Sequence, residues 1–129
     1  MSRQVVQARC RGIVCTNAHP IGCEHLLRAQ VDAARRASTQ REGGCALVIG
    51  ASSGYGLASR VAAAFGHGMD TLGVFYERPP SKRRTASAGW YSSSALHRLA
   101  GEHGLYAGNL NGDAFSSEVL DEVCLLYTS

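Results

Sequence analysis

At 129 residues and 45% apolar content, the chain has material for one modest core and not for two complete domains. The net charge is +3, and the basic run Lys82-Arg83-Arg84 beside Arg78 is short and carries no interleaved aromatics, which argues against a nucleic-acid surface. No apolar run approaches the length of a membrane span, and Met1-Ser2-Arg3-Gln4 does not open a secretory signal, so the expected setting is cytoplasmic, with no membrane partner.

Residues Arg9 to Asn17 read as a short β-rich or irregular opening, closed by a turn at Ala18-His19-Pro20-Ile21-Gly22. A helix is expected from Cys23 to Ala37, because Leu26, Leu27, Val31 and Ala34 share one face while Arg28, Asp32, Arg35 and Arg36 fall elsewhere. Ser38 to Gly44 is a polar linker. The five cysteines, Cys10, Cys15, Cys23, Cys45 and Cys124, are odd in number and form no C-x-x-C pair. Neither a disulfide framework nor a zinc motif is indicated, and the thiols are expected reduced and buried. Cys15, His19, Cys23 and His25 fit no common zinc spacing, and a helix starting at Cys23 turns Cys23 and His25 to different faces. No metal is expected.

The stretch Cys45-Ala46-Leu47-Val48-Ile49 is an apolar run too short for a helix. It meets glycines at Gly50, Gly54 and Gly56 and then an alanine-rich helical pattern, which spells strand, tight loop, helix. Unpaired N–H groups and the positive dipole end at such a helix start suit a diphosphate. Gly50 lets the chain turn off the strand, Gly54 lets the backbone approach the phosphates, and Gly56 lets helix and strand pack closely. Ser52 and Ser53 add hydroxyls. Beyond the loop, Leu57, Val61 and Phe65 repeat at i+4, with Ala58 and Ala62 as a neighbouring smooth row, so the helix is expected to lie close against a sheet; Gly66 and Gly68 end it.

Thr71 to Tyr76 is the next buried strand, and Glu77 follows it 21 residues beyond Gly56 (77 − 56). A doubly wound fold places a carboxylate at that distance against the adenosine ribose hydroxyls, where it accepts from a diol and repels a 2′-phosphate. This favours NADH; Arg78 and the Lys82 to Arg84 run keep NADPH as the alternative, and a solvated strand-end charge is the plain structural reading of Glu77. Pro79 to Ser87 is a loop leading to Gly89-Trp90-Tyr91, of which Trp90 and Tyr91 read as packing residues rather than ligand stackers, before a helix from Ser92 to His103. Its apolar stripe is Tyr91, Ala95, Leu96, Leu99 and Ala100. Leu105 to Leu110 reads as a third strand, closed by Asn111-Gly112-Asp113-Ala114-Phe115. Asp113 either accepts from an adenine amino group or caps the helix starting near Phe115. In an open parallel sheet Gly50, Glu77 and Asp113 all fall beyond carboxyl ends of strands, so three loops converge on one crevice.

The fold class expected is therefore α/β, a Rossmann-like parallel sheet with flanking helices, present as an N-terminal portion. Residues 1–44 form the β-rich opening and capping helix, and 45–129 a partial NAD-binding domain. The sequence resembles the bacterial trans-2-enoyl-CoA reductases, also described as a variant class of enoyl-acyl-carrier-protein reductase. The resemblance rests on Arg11-Gly12, Ala18-His19-Pro20 with Gly22-Cys23, Val48 to Ala58, Asp70 to Phe75 with Glu77-Arg78, Gly89-Trp90-Tyr91 and Asn111 to Phe115. Tyr55 is informative because ordinary short-chain dehydrogenases usually carry isoleucine there.

The resemblance implies NADH-dependent reduction of the 2,3 double bond of an enoyl-CoA or enoyl-acyl-carrier-protein thioester, in fatty-acid synthesis or a related pathway. Carried over by matching motif, Gly50, Ala51, Ser52, Ser53, Gly54 and Tyr55 hold the pyrophosphate, Tyr76 and Glu77 the adenosine ribose, and Asp113 and Ala114 the adenine. The family usually has phenylalanine where Tyr76 stands. The family's catalytic tyrosine and lysine have no counterpart: the only lysine is Lys82, with Gly73 at the matching upstream spacing. No catalytic residue is therefore assigned, and the chain alone is expected to be inactive. Cys124 to Ser129 departs from the family pattern, and residues from about 119 onward are expected to be a non-native tail. The alternatives are a non-catalytic dinucleotide-binding module and a fragment of another short-chain-dehydrogenase-type reductase.

Overall fold

The computed structural model describes residues 5, 7–16, 18–38 and 40–128; Met1 to Gln4, Val6, Asn17 of the opening, Thr39 of the linker and Ser129 of the tail lie outside the described residues. Strands β1 (Arg9–Arg11) and β2 (Val14–Thr16) pair antiparallel across a turn at Gly12, whose φ of 62° suits glycine. Helix α1 spans Pro20–Ala37. It starts three residues earlier than expected, because Pro20 is pre-set for the first helical position and His19 Nδ1 accepts the Ile21 N–H at 3.2 Å. Leu27 and Val31 are buried as the periodicity requires, but Leu26 is 70% exposed: the face against the rest of the protein is narrower than the four-residue stripe.

Three parallel strands follow, β3 (Cys45–Ile49), β4 (Asp70–Phe75) and β5 (Ala107–Asn111), in the spatial order β3-β4-β5. Registers run Ile49↔Val74 and Val74↔Leu110, so the carboxyl ends of all three strands align at one end of the sheet. Helix α2 (Gly54–Val61), continued by a π turn over Ala62–Gly66, connects β3 to β4, and α3 (Ala88–Glu102) connects β4 to β5. Helix α3 starts at Ala88 rather than Ser92, taking Gly89-Trp90-Tyr91 into its first turn. Helix α4 spans Ser117–Thr128, and its Val123 is buried.

The core lies in two parts. One is built by Leu27 and Val31 of α1, Leu57 and Val61 of α2, Ala64 and Phe65 of the π turn, Ala95, Leu96, Leu99 and Ala100 of α3, and Ala107 of β5. The other sets Leu72 and Val74 of β4 against Val123, with Leu110, Ala114 and Val119 packed around them. Alternate residues of a strand point to opposite faces, so helices cover both sides of β4, the arrangement a parallel sheet requires. The expected α/β class is thus observed. On β3, an edge strand, Leu47 and Ile49 remain 36% and 59% exposed.

Helix α2 lies against the sheet as expected, but the smooth row of Ala58 and Ala62 is exposed and the residue that reaches the sheet is Arg60, fully buried. Its Nε donates to Thr71 Oγ1 at 3.1 Å, Nη1 to Asn109 Oδ1 at 2.7 Å and Nη2 to the Gly108 carbonyl at 2.6 Å. The expectation of reduced, buried cysteines is corrected: Cys10 is disulfide-bonded, Cys45 and Cys124 are free and exposed, and Cys23 is free and half-buried.

Candidate dinucleotide site

The loop between β3 and α2 is fixed from below. Gly50 and Ala51 donate their N–H groups to the Val74 carbonyl at 2.8 and 3.1 Å, which ties the turn to the end of β4. Gly50 and Gly54 adopt φ of 76° and 54°, in the region that excludes most L side chains. Their surroundings differ from those of Gly56. A Cβ on Gly54 would meet nothing within 4 Å, whereas a Cβ on Gly56 would stand 1.9 Å from the Gly50 carbonyl oxygen. Gly54 therefore faces open space at a helix start, and Gly56 is where helix and turn touch. Ala51 and Ser52 are buried beneath the loop; Ser53, Gly54 and Tyr55 are exposed on it.

The end of β4 brings the acid to this loop. Ser52 Oγ donates to Glu77 Oε1 at 2.6 Å, and Glu77 is half-buried, while Tyr76 is 82% exposed beside it. Asn111 holds the Glu77 backbone from both sides: its Oδ1 accepts the Glu77 N–H at 2.8 Å and its Nδ2 donates to the Glu77 carbonyl at 3.0 Å. Gly112 N–H also donates to the Phe75 carbonyl at 2.8 Å, so the exits from β4 and β5 are laced together.

At the end of β5, Asp113 is exposed and Ala114 half-buried. Asp113 Oδ1 accepts the Phe115 N–H at 2.9 Å, a local turn of the kind aspartates favour, and its other carboxylate oxygen has no such bond among the described residues. The cap of α4 is Ser116, whose Oγ accepts the Val119 N–H at 3.3 Å. Gly50, Glu77 and Asp113 thus lie at the same end of the sheet. Arg78, Lys82, Arg83 and Arg84 are exposed. Among the described residues no three His, Cys, Asp or Glu side chains converge as metal ligands, and no helix is long and apolar enough to cross a membrane. A shallow concavity lined by Arg35, Ser38, Gln40, Arg41 and Phe65 sits near the opposite end of the sheet, where β3 and β4 begin.

Residues 5–82 match the family model described as the NAD(P)H binding domain of trans-2-enoyl-CoA reductase. The chain belongs to the trans-2-enoyl-CoA reductase family. Residues 84–127 match the model of that family's catalytic region. Among curated relatives, the trans-2-enoyl-CoA reductase (NADH) of Ruminiclostridium cellulolyticum is 52% identical over 115 residues, covering 89% of this chain and 29% of that protein. The enoyl-acyl-carrier-protein reductase (NADH) of Colwellia psychrerythraea is 51% identical over 117 residues, with the same coverage of each. The Clostridium acetobutulicum trans-2-enoyl-CoA reductase solved in complex with NADH superposes with a TM-score of 0.86 at 38% identity, over 93% of this chain and 30% of that one. The Treponema denticola trans-2-enoyl-CoA reductase solved in complex with NAD gives 0.88 at 36%, over 97% and 33%. The chain therefore spans about three-tenths of the length of the relatives it matches.

Within this reductase fold, sequence reasoning passed over three positions. Asn111 and Gly89 were visible only as members of family motifs, with no role attached. Arg60 left no signal at all, since an arginine within a helix reads as a solvated charge.

Proposed function

We propose that the chain holds NADH at the carboxyl end of its sheet and serves as the dinucleotide-binding part of a reductase acting on trans-2-enoyl thioesters, carried on CoA or on acyl carrier protein. The backbone from Gly50 to Tyr55 faces the pyrophosphate, Tyr76 and Glu77 the adenosine ribose, and Asp113 and Ala114 the adenine. The observation that carries this reading is the 2.6 Å hydrogen bond between Ser52 Oγ and Glu77 Oε1, which sets an acid directly beside a glycine loop that a diphosphate can approach. Asp113 keeps one carboxylate oxygen for the adenine amino group while the other serves the local turn. The names of the relatives and the bound dinucleotides of the solved structures support the same assignment.

NADH is preferred to NADPH in this reading because a carboxylate accepts from the ribose diol and repels a 2′-phosphate. When bound, the nicotinamide supplies hydride to the thioester's double bond; the enolate so formed needs a positioned proton donor. The single lysine, Lys82, has glycine rather than tyrosine at the relevant spacing, so the 129 residues bind cofactor without turning over an enoyl thioester.

Fluorescence titration of the chain with NADH and NADPH tests this. NADH should bind about tenfold or more tightly than NADPH, and Glu77→Ala should close most of that gap. Incubation with NADH and a short trans-2-enoyl-CoA should leave the nicotinamide absorbance unchanged. Tighter binding of NADPH by the unsubstituted chain refutes the cofactor assignment.

A further inference from the structure

Gly89 lies in the first turn of α3, is buried, and has nothing to do with backbone freedom, since its φ is not in the left-handed region. Its lack of a side chain matters for another reason. A Cβ there would stand 2.1 Å from Glu77 Oε1, 2.5 Å from Glu77 Cδ and 2.8 Å from Ser52 Cβ. The Glu77 carboxylate therefore occupies the volume a side chain at position 89 would take, with the Ser52 hydroxyl donating to the same Oε1 oxygen. Its backbone is pinned by Asn111. The positive end of the α3 dipole adds a favourable field for the anion lodged there.

We infer that Gly89 and Ser52 are positioning residues that fix the cofactor's ribose preference, by confining the Glu77 carboxylate to a slot from which it cannot swing aside. This rests on the assignment of Glu77 to the ribose. One carboxylate oxygen is committed to Ser52, and the other is left as the acceptor for a diol. A carboxylate on a free surface rotates away from an incoming phosphate and leaves discrimination to its neighbours. A confined one stays, so a 2′-phosphate meets a fixed negative charge. Filling the slot expels the carboxylate to solvent and leaves exposed Arg78, the next residue, free to meet the phosphate.

The test measures NADH and NADPH dissociation constants for the chain and for Gly89→Ala, Ser52→Ala and Glu77→Gln, with far-UV circular dichroism on each. Gly89→Ala should shift the preference towards NADPH by about tenfold, chiefly through weaker NADH binding, and Ser52→Ala should shift it in the same direction by about threefold. A merely structural role would weaken both cofactors equally. If Gly89→Ala folds and leaves the NADH to NADPH ratio where it was, the inference is overturned; if that variant does not fold, an unchanged ratio in Ser52→Ala overturns it. An unchanged ratio in Glu77→Gln strikes the ribose assignment itself, and the failure of the unsubstituted chain to bind either dinucleotide strikes the proposed function, each taking this inference with it.

Discussion

Replacing Gly56 by alanine should be far more damaging than the same change at Gly54, although both belong to one loop. The added methyl at position 56 would lie 1.9 Å from the Gly50 carbonyl oxygen, 2.7 Å from its carbon and 3.3 Å from the Ala51 nitrogen, all backbone atoms. A comfortable carbon to oxygen contact is about 3.3 Å, so one side must retreat by more than about 1 Å. The turn cannot retreat without breaking the two bonds of Gly50 and Ala51 to the Val74 carbonyl, and α2 cannot without lifting Leu57 and Val61 from the core. Overpacking costs about 1–3 kcal/mol in ordinary cores, and with backbone on one side of the clash the upper end, about 3 kcal/mol, applies. For a chain of this size that lowers Tm by about 10 °C or more. Gly54→Ala meets open space and carries only the strain of its φ of 54°, about 1 kcal/mol, but it puts a methyl where the diphosphate is proposed to lie. Thermal melts and NADH titrations on both variants should show the first losing stability and the second losing mainly affinity. A Gly56→Ala variant melting within about 2 °C of the parent, or melting above Gly54→Ala, would refute the close-contact argument.

Arg60→Ala strips three acceptors of their donors in the seam between α2 and the sheet and leaves a void, for a loss of about 3 kcal/mol by urea unfolding. Burial pushes the Arg60 guanidinium down to about 10, so it stays protonated at neutral pH. Arg60→Lys should recover under half of the loss, because an ammonium cannot reproduce the fork; a deficit below about 1 kcal/mol for the alanine variant would contradict the picture. The guanidiniums of Arg98, at 2.9 Å, and Arg28, at 2.8 Å, hold the half-buried Glu24 carboxyl below its ordinary 4.5 and join α1 to α3. A carboxylate with a depressed folded-state pKa adds stability above its unfolded value and loses it as pH falls through the folded one. The melting gap between parent and Glu24→Gln should be small, present near neutrality, screened by salt, and absent well below 4.5; a gap constant from about pH 7 to about pH 3 would contradict it.

The sequence by itself determined the elements and which loops gather at the carboxyl end of the sheet. Glycines at 50, 54 and 56 after an apolar run, the i+4 repeat of Leu57, Val61 and Phe65, and the distance to Glu77 are short-range patterns. Their geometry follows from local sterics, helix periodicity and the handed winding of parallel strands. Tertiary structure alone decided what each residue meets across the chain. Leu26 loses its place in the core because α1 has neighbours on only part of its face. Arg60 enters the sheet because Gly73 leaves room for it: a Cβ there would lie 2.2 Å from Arg60 Nη1. Glu77, Ser52, Gly89 and Asn111 form one assembly although 59 residues separate the first and last of them in the chain (111 − 52). Nothing periodic marks such partners, since contacts between elements depend on packing distances that neither side's sequence states alone.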